Sequence, residues 1–287
     1  MAPKNNAPTS SGSTSVASSP APVKNALNLE VEHAVFTHPE LFGEFPTTTY
    51  DPIPELPYEN RALKADPSFK NRLADATVTH LEPKIGTEIL NLQLHELTDS
   101  QKDELALLVA QRGVVFFRDQ KISIEDQLAL GRYYGPLHVR HTLRVPPKCT
   151  FEKRIKTQAL EPVNLWHSDV SYERQTLRRP IVEFEHPVVR THPVTGRKAL
   201  YVNAQFTTRI NNLSAAESAS ILRFLHQHIA QGHEFQVRYR WTKDAVAIWD
   251  NRATVHYATY DYLPGNRHAV RVTPHGETPY FEITNEP

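Results

Sequence analysis

The sequence predicts a mainly β fold with flanking helices, and three observations lead there. Short runs rich in β-branched and aromatic residues recur without a helical period, at 114–117, 165–172, 245–249 and 267–273. Their spacing is irregular, and neither G-x-G-x-x-G nor G-x-x-x-x-G-K-[ST] occurs, which argues against a doubly wound nucleotide-binding sheet. Before and between the runs lie three stretches of helical period, each opened by its own capping signal.

In chain order, residues 1–26 are rich in Ser, Ala, Pro, Thr and Asn and read as a disordered tail. They lack the apolar centre of a secretory signal. Residues 27–75, with Pro52, Pro54 and Pro57, read as a Pro-rich arm wrapped on a folded domain that occupies 76–287. Short strands are expected at 76–78 and 89–90. Thr98-x-x-Gln101 is a capping box, so a helix should follow, with Leu105, Leu108 and Val109 on its apolar face and Gly113 as its stop. The run 114–117 is a short buried strand. Ser123-x-x-Asp126 opens a second helix containing Leu128 and Leu130 and ending by Gly135. A hairpin should join 188–191 to 198–202 around Thr195-Gly196. Ser214-x-x-Glu217 caps a longer helix, with Ile221, Leu222, Leu225 and Ile229 on one face and Gly232 as its stop. His226 and His228 cannot share a face of that helix and read as surface residues.

Composition narrows the partners. The 287 residues carry 32 Lys+Arg and 32 Asp+Glu, so no basic excess points to nucleic acid or an anionic membrane surface. No apolar run approaches the ~20 residues that span a bilayer. Cys149 is the one cysteine, which rules out an intrachain disulfide framework and fits a reducing, cytoplasmic setting. Self-association into a homo-oligomer is left open.

The chemistry concentrates in Trp166-His167-Ser168-Asp169 and in Trp249-Asp250-Asn251-Arg252-Ala253-Thr254-Val255-His256. On a strand, His167 and Asp169 project to the same face. With His256 arriving from another strand they make two imidazoles and one carboxylate on one side of a metal, a set that suits non-heme Fe(II) oxygen chemistry. The alternative is a hydrogen-bonded polar pair at a strand end. Asp250 and Asn251 could orient the His256 loop or simply cap a turn. Downstream, Arg267, Ala269 and Arg271 share one face of the run 267–273. If that face is internal, the two guanidiniums need anionic partners, and a guanidinium fork suits carboxylates and sulfur or phosphorus oxyanions. Otherwise they are surface charges.

Across about residues 80 to 280 the chain resembles the taurine/α-ketoglutarate dioxygenase family, and its fungal sulfonate dioxygenase branch in particular. The resemblance rests on Val114-Val115-Phe116-Phe117-Arg118-Asp119-Gln120, Trp166-His167-Ser168-Asp169-Val170-Ser171-Tyr172-Glu173 and His186-Pro187-Val188-Val189-Arg190-Thr191-His192-Pro193. It continues through Phe206-Thr207-Thr208-Arg209-Ile210, Ile248-Trp249-Asp250-Asn251-Arg252 and His256-Tyr257-Ala258. It implies a double-stranded β-helix, a cupin-like jelly roll with helices outside. It implies iron held by His167, Asp169 and His256. Arg267 falls where the family grips the distal carboxylate of the cosubstrate 2-oxoglutarate, Arg271 where sulfonate-using members hold the sulfonate, and Phe206 near an aromatic beside the substrate. No catalytic side chain is implied beyond the metal site. The implied reaction consumes oxygen and hydroxylates a small anionic substrate such as taurine, giving sulfite, an aldehyde, succinate and carbon dioxide. Aryloxy acids and alkyl sulfates offer the same anionic head to Arg271.

The sequence departs from the family at two places. Members carry a long stretch with a Gly-Gly-Asp-Thr motif after the segment matching Ser171-Tyr172-Glu173-Arg174-Gln175. This chain passes almost directly to Arg178-Arg179-Pro180. Members also place a second His two residues after the one resembling His138, where this chain has Arg140 followed by His141. The barrel is therefore expected to be incomplete, and a non-catalytic relative is the competing expectation.

Overall fold

The computed structural model describes residues 56–71, 76–138, 166–168, 184–259, 261 and 269–283. Their strands are β1 (Thr77–His80), β2 (Thr87–Leu90), β3 (Val114–Phe117), β4 (Val189–Thr191), β5 (Lys198–Leu200) and β6 (Val246–Trp249). Four of them form a mixed sheet in the order β1-β2-β3-β6, with β2 and β3 parallel and the other neighbours antiparallel. β4 and β5 form a separate antiparallel hairpin.

β3 explains the layering. All four of its residues are buried, as expected of a strand covered on both faces. In register, Ile89, Phe117 and Val246 line up across one face, with Val115 and Ile248 beside them. That face packs on Leu105, Leu108 and Val109 of α1 (Asp99–Arg112) to make the core. The opposite face carries Glu88, Phe116 and Ala247, and Phe116 stacks on Tyr239 at 3.9 Å between ring centroids.

The helices start where the sequence places them. Thr98, Ser123 and Ser214 each accept a hydrogen bond from the third helical N–H, and the side-chain oxygens of Gln101, Asp126 and Glu217 accept one from the cap's own N–H. They open α1, α2 (Ile124–Tyr134) and α3 (Ala215–Gln231). Losing one capping oxygen costs about 1 kcal/mol. Thr98→Ala is therefore expected to lower the melting temperature by roughly 2–4 °C, measured by circular dichroism, with no effect on ligand binding.

Mixed sheets with helices outside agree with the expected layering, and no closed barrel forms among the described residues. Other expectations are corrected. No strand forms in the described part of 267–273, since residues 269–273 enter no ladder. Pairing falls instead at 273–275, where His138 N donates to Thr273 O and His275 N to Pro136 O, both at 2.7 Å. Pro274, lacking an N–H, cannot extend that ladder. On α3 only Ser218 and Leu222 are buried, while Ile221 and Phe224 are exposed, so the apolar stripe is only partly covered. His226 is half-buried rather than a surface residue, and burial depresses its pKa. The part of the arm at 56–71 lies against α1, where Arg61 bonds Asp103 and Asn71 bonds Glu104. Cys149, Arg140 and His141 lie outside the described residues.

Candidate metal centre and its support

β6 ends at Trp249, and a tight turn follows. Asp250 N donates to Gly113 O at 2.9 Å, and Asp250 O accepts from the backbone of Ala253 and Thr254 and from the Thr254 hydroxyl. Gly113 allows this docking twice over. Its φ is +75°, and a Cβ there would lie 3.1 Å from Thr254 Cγ2. The turn sends the chain back so that His256 faces His167.

These two histidines form an antiparallel bridge with both backbone bonds made, His167 N to His256 O at 3.0 Å and His256 N to His167 O at 2.7 Å. Residues exchanging both bonds sit opposite one another with side chains on one face. Their ring centroids are 4.3 Å apart. Two imidazoles ligating one ion at right angles through bonds of about 2.1 Å stand roughly 4.5 Å apart, so the pair fits a shared metal. Imidazole is also a donor that suits Fe(II). Asp169, the expected carboxylate ligand, lies outside the described residues, as does Arg267. Among the described residues no third His, Cys, Asp or Glu joins the two rings.

Ser168, between the two expected ligands, is buried, and Asn203 Nδ2 donates to its carbonyl at 3.4 Å. Phe206 sits half-buried in the next turn, its N–H bonded to Asn203 O at 3.1 Å. Phe206, His256 and Arg271 line one cleft of about 4220 Å³. That is several times a small-ligand pocket, so the cleft defines no fitted binding shape. Arg271 is exposed, and its neighbour Val272 packs against Gly131 of α2. The inward face here is therefore that of Val272.

Behind the His256 turn lies a buried ionic network that sequence reasoning glimpsed only at Asp250. This residue is 7 % exposed. Its carboxylate accepts from Arg252 Nε at 2.8 Å, Arg252 Nη2 at 2.6 Å, Arg252 N at 3.0 Å and His192 Nε2 at 3.0 Å. Burial alone would raise the Asp250 pKa, but the bonds from Arg252 and His192 hold it well below the usual carboxylate range. Burial opposes the Arg252 charge too, and Asp250 outweighs it, holding the guanidinium pKa above its ordinary value. His192 Nδ1 accepts from the N–H groups of Val194 and Thr195, both at 3.2 Å, which leaves the Nε2 proton for Asp250. Arg190, 2 % exposed, donates to Glu277 Oε1 at 2.5 Å, and Arg252 Nη1 reaches Glu277 Oε2 at 3.3 Å and Tyr58 at 3.2 Å. One signal was available in the sequence: Arg190 and His192 alternate as His167 and Asp169 do.

A mixed sheet with flanking helices carries an imidazole pair at the end of a turn. Comparison with known proteins gives the class. The chain belongs to the Taurine catabolism dioxygenase TauD, TfdA family, which it matches over residues 77–179 and 174–273. It is thereby an α-ketoglutarate-dependent dioxygenase, of a family using Fe(II) and 2-oxoglutarate. The "Alpha-ketoglutarate-dependent sulfonate dioxygenase" of Saccharomyces cerevisiae is 33 % identical over 83 % of this chain and 77 % of its own length. The "Alpha-ketoglutarate-dependent sulfate ester dioxygenase" of Pseudomonas putida is 44 % identical over 37 % of this chain and 35 % of its own. Among solved structures, a taurine dioxygenase from Burkholderia xenovorans superposes with a TM-score of 0.58, at 28 % identity, over 71 % of this chain and 92 % of that one.

The two family matches meet at 174–179, where the sequence departs from the family pattern. The yeast alignment has 319 positions but only about 240 residues of this chain, so about 80 positions have none of its residues opposite them. No helix among the described residues is long and apolar enough to cross a membrane.

Proposed function

We propose that this dioxygenase hydroxylates a small sulfonate, with taurine the representative substrate, and releases sulfite, an aldehyde, succinate and carbon dioxide. The observation that carries this is the His167–His256 bridge, with ring centroids 4.3 Å apart, in a chain of this family. In this reading His167, Asp169 and His256 hold the iron, and the strands around them belong to a double-stranded β-helix. Arg267 neutralises the far carboxylate of 2-oxoglutarate. Arg271, exposed on its segment, holds the sulfonate through its planar fork. Phe206 gives the substrate an apolar neighbour. Iron with 2-oxoglutarate supplies the oxygen chemistry when bound, while the protein positions the reactants. The composition fits a cytoplasmic enzyme.

The test has two stages. Anaerobic protein with Fe(II) and 2-oxoglutarate should develop the weak visible band of the chelate. Adding taurine and oxygen should then yield sulfite and succinate together. The match to a sulfate ester dioxygenase favours an alkyl sulfate as the second substrate reading, and the chelate band without sulfite from taurine would select it. The two-part family match favours an inactive relative, and absence of any band would select that.

Arg271→Ala separates the two anion sites. A lost charge-assisted hydrogen bond is worth about 1.5–3 kcal/mol, or roughly ten- to a hundredfold in affinity. The sulfonate KM should rise by that factor while the 2-oxoglutarate KM stays within about twofold. Equal rises in both would sink the division of labour.

A further inference from the structure

We propose that Glu277 is a positioning residue, whose carboxylate, shared between Arg190 and Arg252, fixes the arm carrying Arg271 against the turn carrying His256. The inference rests on the function proposed above. It begins with the path of the arm. Backbone bonds tie the arm at 273–275 to 136–138 beyond α2. Farther on, Thr191 N donates to Tyr280 O at 2.8 Å and Glu282 N to Thr191 Oγ1 at 2.9 Å, laying the arm along β4. Glu277 falls between these anchors, and its carboxylate reaches both sides: one oxygen takes Arg190 of β4, and the other takes Arg252 of the turn.

Charge balance does not require both contacts. Arg190 is almost fully buried and needs a carboxylate. Arg252 already has one, because Asp250 grips it through two bonds of 2.8 and 2.6 Å. The second reach of Glu277, 3.3 Å to Arg252 Nη1, therefore adds a connection rather than a missing charge. Through Arg252 it touches Asp250, and Asp250 sets the turn that delivers His256. The substrate arginine and a metal ligand thereby share one frame, joined by a carboxylate that touches neither reactant.

The measurement is an anaerobic titration of full-length protein with Fe(II) at saturating 2-oxoglutarate, read as the chelate band, followed by taurine, read as a shift of that band. Glu277→Asp keeps the charge but is one methylene too short to span both arginines. It should weaken Fe(II) binding about tenfold, as loss of support around ligands does, and raise the taurine requirement in parallel. Arg61→Gln provides the baseline. It breaks the Arg61–Asp103 pair, of comparable exposure and away from the turn. It should lower the melting temperature about as much as Glu277→Asp does, with wild-type titrations. Glu277→Gln combined with Arg190→Gln removes one charge of each sign and should reproduce the weakened titration should the aspartate variant fail to fold. Wild-type titrations in the Glu277 variants would overturn the proposal while leaving the dioxygenase reading intact. Absence of the band in the wild type would overturn that reading and this inference with it.

Discussion

His256→Ala is expected to abolish the anaerobic Fe(II)–2-oxoglutarate band and all sulfite release, with little change in melting temperature. Both halves follow from the bridge. The bonds joining His256 to His167 are backbone bonds, which alanine keeps. The ring is only half-buried, so its contacts with the His167 ring at 4.3 Å and the Trp249 ring at 5.5 Å are a modest part of the packing. What disappears is the imidazole proposed to hold the iron. Losing a residue that merely supports a ligand costs 10–100-fold in metal affinity or activity, so losing the ligand should cost more than ~100-fold. His167→Ala should behave alike. A chelate band of wild-type strength in either variant would place the metal elsewhere.

Asp250→Ala should have the largest effect on stability. It leaves Arg252 buried with only the more distant Glu277 carboxylate, and it strips His192 of its acceptor. Breaking a buried pair by removing one partner costs about 3–5 kcal/mol, which for a chain of this size is roughly 10 °C in melting temperature. The wild type should also show the group's signature with pH. Because the folded pKa of Asp250 is depressed, its contribution is fully present above the unfolded value, about pH 4, and is lost as the pH falls toward the folded one. Urea midpoints should therefore show no dependence on this group from pH 5 to 8. They should fall more steeply below pH 4 in the wild type than in Asp250→Ala. Equal acid slopes in the two proteins would contradict the assigned role.

What was legible in the sequence was local or strongly patterned. Thr98, Ser123 and Ser214 announced their helices because a cap and its third residue lie within one turn. Val114–Phe117 announced a strand covered on both faces because it is apolar throughout. His167 and His256 were legible because their motifs pair donor types with strand-end positions. What escaped depends on partners far along the chain. Glu277 meets Arg190 across 87 residues, and nothing around either marks the meeting. Ile221 looks like core from its period alone, yet it is exposed, because period cannot say what lies on top of it. The run 267–273 has strand composition, but Val272 found its packing on α2 instead of in a ladder.

The place of β3 between β2 and β6 also bears on how the protein is made. β2 is synthesised first and α1 follows directly, but β6 comes about 130 residues after β3. At ~5–20 residues per second the ribosome takes roughly ten seconds to supply it. For that interval the emerging polypeptide holds a bare, greasy edge, the kind that invites pairing with strangers. His256 emerges only after β6 has done so. The imidazole pair therefore cannot assemble until that edge has its partner within reach.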